Sequence, residues 1–279
     1  MSFDVIPAHD VPLAEQAEIF TQAFAGYIGG SFAMDAAGLA RFILLQGADL
    51  CYSRFMRTAD GLVGFGYINR TGNISRLAGM GVVPAARRAG VARALLLHLL
   101  EEARARGEQA MMLEVIQQNP AAHALYAREG FRETARLFGW RRSGDLKVIH
   151  ETSDTLEEVS LLQAAQMPSA LEYPALPWPI SRHAIAKSAA AHAFRSGNAV
   201  VQIGDTTATP IRVHSLSCER AATMDWAALR KTLGAILHRF PRREFYTPAV
   251  FPEEFGEEVF QPLGFTREAL SQFLMRSDL

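Results

Sequence analysis

Cysteine is nearly missing from this chain of 279 residues: Cys51 and Cys218 are the only two, and they lie far apart. They offer neither a disulfide framework nor a metal-ligand spacing, which points to a reducing compartment, the cytoplasm, and to no bound metal. Net charge is missing too, since 28 basic and 29 acidic side chains leave a formal charge of -1. That balance excludes the large one-signed field of a nucleic-acid or anionic-membrane binder. No apolar run approaches membrane-spanning length, and residues 1–7 carry Asp4 where a secretory leader would carry lysines. What remains is ordinary globular composition, 49% hydrophobic and 20% charged, with enough chain for two domains that each bury a core.

Residues 79–92 are the most informative stretch. An apolar strand breaks at Pro84 into the Arg87-Arg88-Ala89-Gly90 loop, which opens into an amphipathic helix. Val91, Leu95, Leu96, Leu99 and Leu100 recur at helical spacing, while Arg93, Glu101, Glu102, Arg104 and Arg106 take the other side. The first turn of such a helix offers unpaired N–H groups and a positive dipole end. Gly90 lets an anion come close, Ala89 and Ala92 leave room for it, and Arg87 and Arg88 add charge. The spacing fits a pyrophosphate. After this helix, residues 110–117 read as a short buried strand, and Asn119 followed by Pro120 reads as the capped start of a helix running to Arg128.

On these residues the chain resembles the GNAT superfamily of acetyl-CoA-dependent N-acetyltransferases. Val82, Pro84, Arg87, Gly90 and Ala92 match its V-x-P-x-x-[RQ]-x-x-G-x-[GA] motif. Asn119, Ala122, Leu125, Tyr126, Gly130 and Phe131 match N-x-x-A-x-x-L-Y-x-x-x-G-F. The resemblance implies an α/β (α+β) fold with a mixed, mostly antiparallel central sheet flanked by helices. It further implies acetyl-CoA held by Val82, Val83, Arg87, Arg88, Ala89, Gly90, Val91, Ala92 and Asn119, and transfer of its acetyl group to a primary amine. In the superfamily a tyrosine at the place of Tyr126 commonly protonates the leaving thiolate. Backbone N–H groups near Val82 and Val83 are expected to meet the thioester oxygen. Glu114 is the expected general base: it stands alone in an apolar strand, in a Leu-Glu-Val context similar to that of the ribosomal-protein N-terminal acetyltransferases. A Glu paired to an arginine is the competing reading of the same residue. His98 and His123 lie on helices and read as surface or packing residues. Gly64-Phe65-Gly66 is a poor dinucleotide signal, because it lies within a strand that leads to another strand.

Along the rest of the first half, a strand at 3–8, helices at 11–25 and 34–45, and strands at 50–56, 62–68 and 74–83 complete the expected order, with turns at Asp60-Gly61 and 71–73. Residues 141–279 read as a faded copy of residues 1–140. Helices are expected at 151–166, 181–196 and 225–240, and strands at 199–203, 211–218 and 244–250, with a short helix leading to Gly264-Phe265. Laying Phe260 on Tyr126 puts Val259 on Leu125 and Glu253 on Asn119, so the phenol is gone from the copy. The cradle is gone as well: residues 218–226 hold no glycine, Arg220 is the one cation, and Asp225 stands where a phosphate would sit. The second domain is therefore expected to bind no cofactor and to help shape the acceptor site. Tyr27, Phe32, Trp140, Trp178 and Trp226 are candidate walls for the acceptor, expected to be a small-molecule amine, and a monomer is favoured over a dimer. A non-catalytic acyl-CoA-binding or sensor protein, or transfer of another acyl group, are the alternatives.

Overall fold

The computed structural model describes residues 3–28, 30, 33–145, 156–166, 174–185, 187, 191–219 and 224–279. The chain divides into two compact units, one of Met1–Ala135 with Phe273–Leu279 and one of Arg136–Gln272. A single boundary near residue 140 was the expectation from sequence. The return of the last residues to the first unit leaves no local signal in periodicity or composition.

The first unit runs β1 (Asp4–Pro7), α1 (Leu13–Ala23), α2 (Ala36–Gln46), β2 (Ala48–Thr58), β3 (Gly61–Thr71), β4 (Ile74–Val82), α3 (Val91–Ala105), β5 (Ala110–Ile116) and α4 (Pro120–Arg128). Its strands lie in the order β1-β2-β3-β4-β5. All neighbours are antiparallel except β4 and β5. Two-residue turns close the β2–β3 and β3–β4 hairpins, where Thr58 faces Gly61 and Thr71 faces Ile74. Helix α2 starts where the Asp35 side chain accepts from the Gly38 N–H at 2.7 Å, and stops at Gly47 in the left-handed conformation. Helix α3 buries Val91, Leu95, Leu96, Leu99, Leu100 and Ala103, the expected stripe, against β3. The approach is so close that a Cβ on Gly66 would meet Leu99 Cδ1 at 2.7 Å. Helix packing is thus the role of the Gly64-Phe65-Gly66 stretch. The last residues add Met275, which is 1% exposed, to this core, and the Leu279 N–H bonds the Gln109 carbonyl at 3.0 Å.

The second unit holds most of β6 (Arg132–Arg142), then β7 (Glu157–Val159), α5 (Leu161–Gln166), α6 (Arg182–Ile185), β8 (His192–Ser196), β9 (Ala199–Ile203), β10 (Ile211–Cys218), α7 (Trp226–Arg239), β11 (Phe245–Pro252) and the start of β12 (Thr266–Asp278). Strands β10 and β11 form the parallel pair, as β4 and β5 do in the first unit.

Two expected helices give way here. The first, at 151–166, lies in part outside the described residues. Its described part is strand β7 and then α5, started by a capping box in which Gln163 N–H donates to Ser160 Oγ at 3.1 Å and Ser160 N–H donates to Gln163 Oε1 at 2.9 Å. The second, at 181–196, also lies in part outside the described residues, and its described part holds α6 and then strand β8. Gly197 at φ 59 with Asn198 makes the two-residue loop that pairs Ser196 with Ala199. Gly-Asn between two short runs is a hairpin signal, and reading Gly197 as a helix stop mistook one use of a left-handed glycine for another.

Candidate active site

The site grows out of the single parallel pair of the first unit. Register between β4 and β5 runs from Ile74 opposite Ala110 to Leu77 opposite Leu113, although β4 continues to Val82 and β5 to Ile116. Beyond Leu77, β4 keeps its hydrogen bonds to β3 on its other edge, up to the Val83 N–H donating to the Val63 carbonyl at 2.9 Å. Antiparallel pairing alternates edges, so the backbone N–H of Val82 faces the side away from β3. The Val83 N–H, expected to meet the thioester oxygen, is already committed to Val63. Of the two, Val82 is the one whose N–H faces away from β3.

A cleft of about 700 Å³ lies here, lined by the end of α1, the end of β4, the loop and first turn of α3, and α4. Gly90 caps α3 at φ 84 with no side-chain cap, and the helical bonds begin with the Ala94 N–H on the Gly90 carbonyl at 3.0 Å. The N–H groups of Val91, Ala92 and Arg93 precede that first bond and are open at the helix start. A Cβ on Gly90 would meet nothing within 4 Å, so glycine is needed for its conformation, not for space. Arg87 is spent on the backbone: its Nε donates to the Val82 carbonyl at 3.1 Å and its Nη2 to the Ala23 carbonyl at 2.9 Å. It braces the end of β4 against α1. Arg93 pairs with Glu129 at 2.7 Å. Arg88 and Arg128 line the cleft and make no ion pair among the described residues.

On the opposite wall, Asn119 caps α4, its Oδ1 accepting from the Ala122 N–H at 3.2 Å. Tyr126, one face of that helix, lines the cleft yet is 7% exposed, packed edge-on to Phe131 with ring centres 5.8 Å apart. Burial first, and the nearby Tyr27 second, push its phenol well above the usual tyrosine range. It therefore stays protonated at neutral pH. Tyr27, which follows α1, lines the same cleft, as does Asn119. Burial raises the Tyr27 phenol as well. From sequence, Tyr27 is a candidate wall for the acceptor. Its place in one cleft with Asn119 comes from a chain fold-back that no local pattern announces.

Glu114 is elsewhere. Both its oxygens are held by the guanidinium of Arg76, with Nε at 3.1 and 2.9 Å and Nη2 at 2.7 Å, and both side chains are buried. Arg76 Nη1 also donates to Gln46 Oε1 at 3.1 Å. This geometry is that of the competing reading of Glu114, an ion pair bridging β4 and β5. Among the described residues no carboxylate and no histidine lines the cleft. His98 pairs with Glu102 at 3.3 Å and His123 with Glu133 at 2.7 Å, both at the surface as expected. Trp140 and Trp178 are core residues of the second unit, at 0% and 1% exposure, and Trp226 packs edge-on to Phe255 at 5.0 Å. None of the three lines the cleft, and Phe32 lies outside the described residues. Among the described residues no cluster of three metal-ligating side chains occurs, and no helix is long and apolar enough to cross a membrane.

In the second unit, α7 has the position that α3 has in the first, but Asp225 caps it, accepting from the Ala228 N–H at 3.0 Å and from Asn198 Nδ2 at 3.2 Å. Val259 and Phe260 are fully buried. Arg220 lies outside the described residues.

The sequence profile of the acetyltransferase (GNAT) family matches residues 22–131. Solved structures resemble the whole chain in fold. A GCN5-related N-acetyltransferase from Anabaena variabilis has a TM-score of 0.65 at 16% identity, covering 99% of this chain and 72% of that one. One from Sphaerobacter thermophilus has a TM-score of 0.63 at 13% identity, covering 99% and 95%. A tandem GNAT protein from the clavulanic acid biosynthesis pathway has a TM-score of 0.60 at 14% identity, covering 99% and 98%. No curated protein matches the sequence.

Proposed function

We propose, from the match of residues 22–131 to the acetyltransferase (GNAT) family, that the protein moves an acetyl group from acetyl-CoA directly to the primary amine of a small molecule. The observation that carries this reading is the cleft where β4 and β5 part, with an uncapped helix start at one end and protonated phenols in the wall. The residues present fit the donor: open N–H groups at 91–93 and the cations Arg88 and Arg128 suit its phosphates, and the Val82 N–H faces the gap where an acyl arm would lie. When bound, acetyl-CoA supplies an activated acyl group.

The chain's own part is to hold and to exchange protons. Tyr126, kept protonated by burial, is the donor to the leaving sulfur. The amine loses its proton to water, because no carboxylate or histidine among the described residues lines the cleft. The lining cations also favour an acceptor without multiple positive charges. The second unit takes no cofactor in this reading, since the helix start equivalent to the cradle is already filled by the Asp225 carboxylate. Thiol release from acetyl-CoA, followed over a panel of small primary amines and with propionyl- and succinyl-CoA as competing donors, tests the proposal. Amine-dependent release of free thiol is expected, and its absence with every amine and donor overturns it.

A further inference from the structure

The walls of the cleft differ in chemistry from one part to another. Every charged side chain among the described lining residues is an arginine: Arg87, Arg88 and Arg93 from the loop and first turn of α3, and Arg128 from α4. Where α1 ends and β4 nears its last residues, the wall is Phe24, Tyr27, Ile28 and Met80, with no charged group among them. This apolar part is ordered. Phe24 packs against Phe20 and Phe65 with ring centres 4.8 and 6.0 Å away, and Tyr27 stands edge-on to Phe24 at 4.9 Å. The Tyr27 N–H donates to the Phe24 carbonyl at 3.1 Å, and the Tyr27 carbonyl accepts from the Gly30 N–H at 3.0 Å. Ile28, next in the chain, is 58% exposed, and the other large apolar side chains so exposed among the described residues, Leu44 and Leu162, are not in the cleft wall. An apolar molecule laid against Ile28 would take that surface out of water.

Resting on the acetyl transfer proposed above, we infer that the acceptor is a monoamine with an apolar body, alkyl or aryl, seated against Phe24, Tyr27, Ile28 and Met80. The donor's phosphates take the arginines and its acyl carbon lies at the Val82 N–H, which leaves the apolar wall to the acceptor. A second cation on the acceptor finds no carboxylate there among the described residues, so its desolvation goes uncompensated, and the arginines that would hold an acidic acceptor are taken by the phosphates. Affinity then comes from the apolar surface covered and grows with the size of the body. The same wall disfavours the ammonium form, so the amine meets the acyl carbon as the neutral nucleophile. Its nitrogen bonds to that carbon and the carbon–sulfur bond breaks with its electron pair going to sulfur. Sulfur takes the hydroxyl hydrogen of Tyr126, and the surplus proton on nitrogen returns through water to the Tyr126 oxygen.

The test is calorimetric titration of the full-length protein, saturated with CoA, with butylamine, hexylamine, octylamine and octamethylenediamine, alongside thiol release from acetyl-CoA with the same amines. Burying one methylene is worth about 0.8 kcal/mol, a factor of about four. Affinity and kcat/KM should therefore rise about two- to fourfold per methylene from butylamine to octylamine. Octamethylenediamine, of the same length with a second cation, should lie about tenfold or more below octylamine. Ile28→Asp changes an exposed side chain and supplies the missing acid, so it should weaken octylamine by about tenfold, narrow the gap to the diamine and leave CoA affinity within about twofold of normal. A series that is flat in length, a diamine that matches octylamine, or an Ile28→Asp variant with the unaltered profile overturns the inference. Binding that climbs with length but brings no thiol release with any amine upholds the apolar seat and overturns the transfer reading beneath it.

Discussion

Replacing Glu114 by Gln separates the two roles that this residue can have. The ion pair with Arg76 is bidentate, at 2.7 to 3.1 Å, and its side chains are 5% and 7% exposed. Gln keeps the shape and one acceptor, but removes the negative charge that the buried Arg76 guanidinium faces, whose Nη1 also donates to Gln46 Oε1 at 3.1 Å. Breaking a buried pair by removing one charge costs about 3–5 kcal/mol, and the retained amide places this variant near the lower end, about 3 kcal/mol. For a unit of this size that corresponds to roughly 6–12 °C in the midpoint of thermal unfolding. The assay is calorimetric melting alongside turnover measured well below the transition. The account expects a lower melting point for the first unit and turnover within about tenfold of normal. A general base predicts the reverse, an unchanged melting point with turnover lowered by about 10² to 10⁴. That reverse result would refute the ion-pair argument. Replacing both partners by apolar residues, Arg76→Met with Glu114→Leu, should recover most of the loss, because no buried charge is then stranded.

Other perturbations probe the remaining parts. Tyr126→Phe should lower turnover by about 10² or more with acetyl-CoA affinity nearly unchanged; an unaltered turnover removes Tyr126 from the acid role. Tyr67 and Tyr126 both have phenols raised above the ordinary 10.0 by burial. Their contribution to stability is full below pH 10.0 and is lost as pH rises through the folded values, so denaturant melts of the first unit should weaken only above about pH 10. Gly90→Ala, at φ 84 with open space for the Cβ, should cost about 1 kcal/mol in stability and show a clearer loss in acetyl-CoA affinity by calorimetry, since the strain falls on the cradle. Met275→Ala should destabilise the first unit by about 2–5 kcal/mol, although the residue is near the end of the chain, because it is buried in that unit's core.

The parts of the site that were legible in sequence are those whose chemistry is local. Gly90, the stripe from Val91 to Leu100 and the Asn119-Pro120 helix start each follow from a few neighbouring residues, and the structure has them on the expected elements. What was not legible depends on residues far apart in the chain. Glu114 reads as an isolated acid until β4 brings Arg76 beside it. Tyr27 reads as a candidate acceptor wall in a glycine-rich loop, and only the fold brings it into one cleft with Asn119 and Tyr126. The return of residues 273–279 to the first unit is of the same kind. The helix expected at 181–196 failed for a different reason: the local signal at Gly197-Asn198 was present and supported two structures, and pairing of β8 with β9 selected the hairpin.

The central claim is one working donor cleft in the first unit and a helix start closed by Asp225 in the second. Calorimetric titration of the full-length protein with acetyl-CoA, read for stoichiometry before affinity, tests it most directly. One site per chain, lost in Gly90→Ala with Arg88→Ala, is the predicted result; two sites would contradict the closed second unit, and none would contradict the claim as a whole.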